Sequence, residues 1–189
     1  MAGQDLSSEA KLSFPYPELV ETPISSKTAE ERFVYSQDFT TSFTVDETLE
    51  EAFSAINNVR GWWSGDIQGR TDKLGEVFTY RYEDVHYSKQ KITELVPGKK
   101  VVWLVLDSSL NFVKDKTEWN GTRITFEISK KGKKTEVRFT HLGLAPEVEC
   151  FDACSNAWGS YINGSLQNLI TKGKGHPNPK KKGKVNQSK

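Results

Sequence analysis

The stretch 147–172, EVECFDACSNAWGSYINGSLQNLITK, decides how the chain folds. Phe151, Cys154, Trp158, Ile162, Leu166 and Leu169 recur every three or four residues, the spacing of one apolar stripe along a helix of roughly seven turns. Asp152, Asn156, Asn163 and Asn168 fall largely outside that stripe. Pro146 suits the run-in and Gly173 the stop. A helix with this much apolar surface needs cover, and what precedes it reads mostly as strands. The arrangement that satisfies both is α+β, a curved antiparallel sheet wrapped around a long C-terminal helix. The space between them is then either packed core or a pocket.

Working back from the helix, Ile124, Phe126 and Ile128 alternate with polar residues, as do Thr135, Val137, Phe139 and His141. Lys131-Gly132 starts the turn between them, so the two runs predict a hairpin. Its outward residues, among them Arg123, Glu127, Glu136 and Arg138, predict cross-strand ion pairs of small value. Residues 107–120 read as an irregular connection. Lys100 to Leu106 is apolar on both alternating sets, which predicts a central strand covered on both faces. Residues 85–95 are polar enough for a rim or edge strand, and Pro97-Gly98 turns it. Phe78, Tyr80 and Tyr82 alternate after the turn residue Gly75. NNVRGWWSGDI, 57–67, predicts a short turn of helix leading into a strand. DETLEEAFSAI, 46–56, predicts a short helix with a capping box from Thr48 and Glu51. Phe39, Thr41, Phe43 and Val45 predict the opening strand.

The ends differ from this body. Residues 1–35, with Pro15, Pro17 and Pro23, predict a loosely ordered lead in which Phe14, Tyr16 or Leu19 can lie against the domain. Residues 36–172 form the domain, and 173–189 predict a disordered lysine-rich tail. Deleting 174–189 is therefore expected to move the thermal midpoint by no more than about 2 °C. Seven of the 26 basic residues lie in 172–189, which leaves 19 against 25 acidic residues in 1–171, a net of −6. A mildly acidic body with a basic tail argues against a specific nucleic-acid-binding face. Cys150 and Cys154 are the only cysteines, and four residues apart on one helix they are poorly placed for a disulfide. The chain has no apolar run of membrane-spanning length and no secretory h-region at its start, so a cytoplasmic monomer is expected.

Several stretches together resemble a known superfamily over residues 36–171. ETLEEAF follows the opening strand directly, and Gly61-Trp62-Trp63 comes next. LGEVFTYRYED precedes KITELVPGKKVVWLV, then NGTRITFEI and TEVRFTHLGL, and finally Trp158, Tyr161, Ile162, Ser165 and Leu166 on the last helix. In this order they resemble the helix-grip (START-like, polyketide-cyclase-like) superfamily, and within it the group similar to the activator of the heat-shock ATPase. The resemblance implies a deep curved sheet gripping the terminal helix, with a cavity that often receives an apolar or aromatic ligand. It also implies a chaperone ATPase as an alternative partner. The first 35 residues are too short for the separate amino-terminal domain of the eukaryotic co-chaperone, which counts against full chaperone activation.

The residues exclude several chemistries. There is no glycine-rich phosphate loop and no Gly-x-Ser-x-Gly elbow. Of the three histidines, His86 lies on a polar strand and reads as exposed, and His176 lies in the tail. Cys150, Cys154 and His141 approach a metal set or a Cys-His nucleophile only if all face one point, so neither metal nor cofactor is expected. His141 shares the inward parity of Val137 and Phe139 and reads first as a core histidine, then as a ligand anchor or an acid/base. For an enzyme of cyclase, hydratase or hydrolase type, His141 with Tyr80 or Tyr82 is the only pair to nominate, and no catalytic residue is assigned. The expected ligand set is Phe78, Tyr80, Tyr82, Trp103, His141, Cys154 and Trp158, with Trp62 and Trp63 at the cavity mouth. Core packing is the competing reading for the large aromatics. Three functions follow: a binding protein for a small hydrophobic or aromatic molecule, an enzyme, and an interaction domain for a heat-shock ATPase. The first fits an aromatic set with few polar groups best.

Overall fold

The computed structural model describes residues 38–180; the predicted lead and residues 181–189 of the tail lie outside them. Seven strands form one antiparallel sheet: β1 (Phe39–Val45), β2 (Ile67–Gly69), β3 (Val77–Tyr82), β4 (His86–Val96), β5 (Lys100–Leu110), β6 (Arg123–Lys131) and β7 (Lys134–Leu142). Their order is β1-β7-β6-β5-β4-β3-β2. Two short helices, α1 (Leu49–Asn57) and α2 (Val59–Trp62), follow β1. The chain returns over the sheet through α3 (Phe151–Ser160), a π-helical segment (Tyr161–Leu166) and α4 (Gln167–Lys172).

Local signals explain several of these boundaries. Thr48 Oγ1 accepts from the Glu51 amide at 3.1 Å, and the Glu51 carboxylate accepts from the Thr48 amide at 2.8 Å, the capping box that starts α1. The β6–β7 hairpin pairs Phe126 with Phe139 and Ile124 with His141, and Gly132 turns it at φ 63°.

The terminal helix differs from the regular one that the sequence predicts. It begins at Phe151, with Cys150 as its cap residue, and Glu118 supplies the missing cap from a distant loop. The Glu118 carboxylate accepts from the amides of Glu149 at 2.6 Å and Cys150 at 2.9 Å. The steps Cys154–Trp158–Ile162–Leu166 are each four residues long. On an α-helix each would overshoot a full turn by about 40°. The wider π turn over Tyr161–Leu166 draws the series back, and all four side chains are buried together with Ser165.

Three strand expectations also change. β4 is an interior strand rather than an edge, because Ser88, Gln90 and Ile92 face inward and are fully buried. β5 runs to Leu110, so it takes in residues 107–110 of the expected connection. Its outer face is not covered throughout, since Leu106 is 41% exposed.

The segment after α4 is the largest departure. The tail was expected to begin at 173, yet Gly175, His176 and Asn178 are seated against the domain. The His176 amide donates to Ser165 Oγ at 2.6 Å, the Asn178 amide to the Trp63 carbonyl at 3.0 Å, and the Gly65 amide to the Asn178 carbonyl at 2.8 Å. A Cβ on Gly175 would lie 2.4 Å from the Gly61 carbonyl oxygen, so only glycine fits there. The segment holds through backbone groups, which a reading of side-chain polarity does not register. Ending the chain at Gly173 should therefore lower the thermal midpoint by about 5–10 °C in a thermal scan, since two to three kilocalories of lost bonding shift a domain of this size by about that much. An unchanged midpoint would restore the dispensable tail.

Candidate functional site

Most of the space between sheet and helix is packed. Trp62, Trp103, Phe78 and Phe126 are at most 1% exposed. Trp62 stacks on Trp103 at 6.4 Å between ring centroids, and Phe78 meets Trp103 edge-on at 5.1 Å. The Trp62 indole N–H donates to the Ile56 carbonyl at 3.1 Å. Phe78, Trp103 and Trp62 are therefore core rather than cavity wall or mouth. They fill the middle of the grip.

A cavity of about 420 Å³ remains at one end, bounded by the β3–β4 turn, the loop after β5, and the start of the terminal helix. Of the expected residues, Trp63, Tyr80, Tyr82, Cys154 and Trp158 line it. Trp63 stacks on Tyr80 at 4.2 Å and meets Trp158 at 5.0 Å. Trp119 stacks parallel to Trp158 at 5.8 Å. Ala153 and Ala157, one turn apart on α3, leave the helix side open, while Tyr82, Val85 and Phe112 are exposed hydrophobics among its lining. The lining contains no lysine, arginine, aspartate or glutamate.

Two histidines flank Trp119, one on the cavity and one behind it. His86, expected to be exposed, lines the cavity, and its ring meets Trp119 edge-on at 4.5 Å and Tyr80 at 5.0 Å. Its Nε2 is buried without a hydrogen-bond partner, and burial lowers the imidazole pKa from 6.5 to about 3. Its place at the β3–β4 turn carries it under the loop after β5, so a polar strand sequence ends in an apolar site.

His141 does not line the cavity. Its Nδ1 accepts the Trp158 indole N–H at 3.0 Å, and since an indole N–H only donates, the ring proton sits on Nε2. That Nε2 donates to Thr122 Oγ1 at 2.9 Å, and Thr122 donates onward to the Trp119 carbonyl at 2.6 Å. Burial, with His86 nearby, lowers the His141 pKa to about 3. Both nitrogens are committed, so His141 with Tyr80 or Tyr82 does not form an acid/base pair on a shared space. His141 instead fixes the orientation of Trp158 and Trp119 in the cavity wall.

The hydroxyls of Tyr80 and Tyr161 are also held. Asn178 Nδ2 donates to Tyr80 at 3.1 Å and to Tyr161 at 2.6 Å, and burial raises the Tyr80 pKa, with Tyr161 adding to it. Cys150 and Cys154 are both free and buried, and the Cys150 thiol is held protonated by its hydrogen bond with Cys154 and by burial. Among the described residues no group of three His, Cys, Asp or Glu side chains converges as a metal set. No described helix is long and apolar enough to cross a membrane.

Trp119, Phe112, Val85, His86 and Tyr161 are lining residues that the sequence did not nominate. Trp119 and Phe112 lie in the stretch without periodicity. The signal that could have found them is Glu118, an acid placed to cap a helix that starts some thirty residues later.

A curved antiparallel sheet closed on a C-terminal helix, with a cavity between them, defines a helix-grip domain of the START-like class. The sequence model of the family described as "Activator of Hsp90 ATPase homolog 1-like protein" matches residues 44–171, and the chain belongs to that family. Among solved structures, the Aha1 dimer from Colwellia psychrerythraea is similar at 25% identity and a TM-score of 0.60, covering 74% of this chain and 99% of that one. SSP2350 from Staphylococcus saprophyticus shares the fold at 18% identity and a TM-score of 0.55, covering 75% and 97%. MLL2253 from Mesorhizobium loti does so at 12% identity and 0.54, covering 69% and 95%. No curated protein matches the chain.

Proposed function

We propose that this domain binds one small apolar, preferably aromatic, molecule in the cavity beside Trp119 and Trp158, and that it catalyses no reaction on it. The observation that carries this reading is the lining: ring faces and methyl groups around about 420 Å³, with the Tyr80 and Tyr161 hydroxyls both accepting from Asn178. That volume is within the range of small-molecule pockets, which are mostly apolar with few polar anchors. Catalysis needs polar groups free to meet a substrate, and the nominated His141 is committed on both sides.

Calorimetric titration with naphthalene tests the reading, and micromolar binding at 1:1 with quenching of tryptophan fluorescence is expected. Ala157→Trp, at an exposed position on the cavity rim, should weaken that binding at least tenfold while the fold stays intact, since surface changes move stability by only about 0.5 kcal/mol. Absence of saturable binding, or equal binding by the variant, would reject the cavity as the site.

A second reading has its own support. The family description names a heat-shock ATPase, and Tyr82, Val85 and Phe112 give the cavity an exposed apolar rim of the sort that partners cover. On that reading a chaperone ATPase docks over the rim, and Phe112→Asp would weaken its capture at least tenfold.

A further inference from the structure

The cavity presents a polar atom with nothing to meet it. His86 forms part of the wall, and its Nε2 is buried and unpaired among aromatic rings. Buried polar atoms without partners are rare in folded proteins, and each asks for an explanation such as an absent ligand. The neighbours that could have paired with it face elsewhere. Asn178 donates to the Tyr80 and Tyr161 hydroxyls, the Trp158 N–H is given to His141, Ser88 accepts from Gln90, and the Trp119 N–H, the other unpaired polar group of the wall, makes no hydrogen bond with it.

We propose that His86 Nε2 is the polar anchor of the cavity and that the ligand is a neutral, planar aromatic molecule bearing a hydroxyl group. This deepens the binding function proposed above and rests on it. A hydroxyl is the group that suits the site whichever ring nitrogen carries the proton. It donates to a bare Nε2 and accepts from a protonated one, whereas a carbonyl or an N–H serves only one tautomer. A flat ring suits the walls. Trp63 lies parallel to Tyr80 and Trp119 to Trp158, so the lining offers ring faces and edges against which an aromatic can stack or meet in a T. An anionic ligand is disfavoured, because no lysine or arginine lines the cavity and an ionised group there would be buried unpaired. Burial holds His86 itself neutral, which agrees with this choice.

Three matched probes test the assignment by calorimetry: naphthalene, 2-naphthol and 2-naphthoate. The wild-type domain should bind 2-naphthol about tenfold more tightly than naphthalene, and 2-naphthoate most weakly of the three. His86→Phe keeps a ring between Tyr80 and Trp119 and should abolish the preference for naphthol, read as the ratio of the two affinities within the same variant. If naphthalene and 2-naphthol bind the wild type equally, the anchor is wrong and the apolar cavity stands. If neither binds, the cavity reading fails with it. A naphthol preference that survives His86→Phe, or tightest binding of 2-naphthoate, overturns the assignment in favour of another group.

Should His86→Phe fail to fold, imidazole ¹⁵N spectra of the wild type decide. 2-Naphthol, and not naphthalene, should move the His86 Nε2 resonance and leave the His141 nitrogens in place. An unmoved His86 resonance at saturation overturns the proposal.

Discussion

Trp158→Ala should unfold the domain or lower its stability by about 4–8 kcal/mol in denaturant titration, the largest effect expected of any single substitution. The indole is 1% exposed and touches Phe139 at 4.7 Å, Trp63 at 5.0 Å and Trp119 at 5.8 Å between centroids. Emptying such a site costs about 3–5 kcal/mol by lost burial and the void left behind. The substitution also strands His141 Nδ1, a buried acceptor, at a further cost of about 1–3 kcal/mol. Trp158→Phe separates the two effects, because it keeps most of the packing and loses the N–H. It should cost roughly the second amount alone, plus a small volume change. A Trp158→Ala protein within about 1 kcal/mol of wild type, against the expected loss of about 4–8, would show that the ring is not the link between sheet and helix.

Acid should destabilise the fold well before its carboxylates titrate. His86 and His141 both have pKa values lowered to about 3 by burial, against 6.5 for an accessible imidazole. Between those values the unfolded chain binds protons that the folded chain refuses, so stability is full above pH 6.5 and falls as the pH drops toward 3. Each histidine should contribute a slope approaching about 1.4 kcal/mol per pH unit. From pH 6.5 to 5, above the ordinary carboxylate range, the two together should remove about 3 kcal/mol. Urea unfolding at the two pH values measures it, and His86→Phe should halve the difference. A flat response would mean that water reaches both imidazoles in the folded state.

Much of the fold was readable because it rests on periodic signals. The β6–β7 hairpin alternates cleanly around Lys131-Gly132, α1 carries its own capping box, and the apolar stripe on the last helix is continuous. The candidate site was legible only in part. Phe78, Tyr80 and Tyr82 share one face, as their spacing says, but spacing does not say which lies over the packed middle and which at the open end. Phe78 is 1% exposed and Tyr82 is 39% exposed, and only the second and its neighbour Tyr80 reach the cavity.

Other features depend on contacts far apart in sequence. Trp119 enters the wall because Glu118 caps α3 across thirty residues, and His86 is covered because Trp119 folds over it. The π turn shows only as a row of four-residue steps that an α-helix would not keep on one face. Asn178 reads as part of a polar tail, yet its side chain donates to Tyr80 and Tyr161, while His86 Nε2 and the Trp119 indole N–H are the buried polar atoms of the wall without a partner.

The most direct measurement of the central claim is the set of intermolecular nuclear Overhauser effects from bound naphthalene to the protein's methyl groups. The cavity is lined by Val85, Ala153 and Ala157, whose methyls report on the β3–β4 turn and on the helix side. Cross-peaks from the naphthalene protons to all three methyl sites, with none to the core methyls of Val101 or Ile124, are the predicted result. Cross-peaks confined to other surfaces, or none at a saturating concentration, would contradict the claim that this cavity is where the domain takes its ligand.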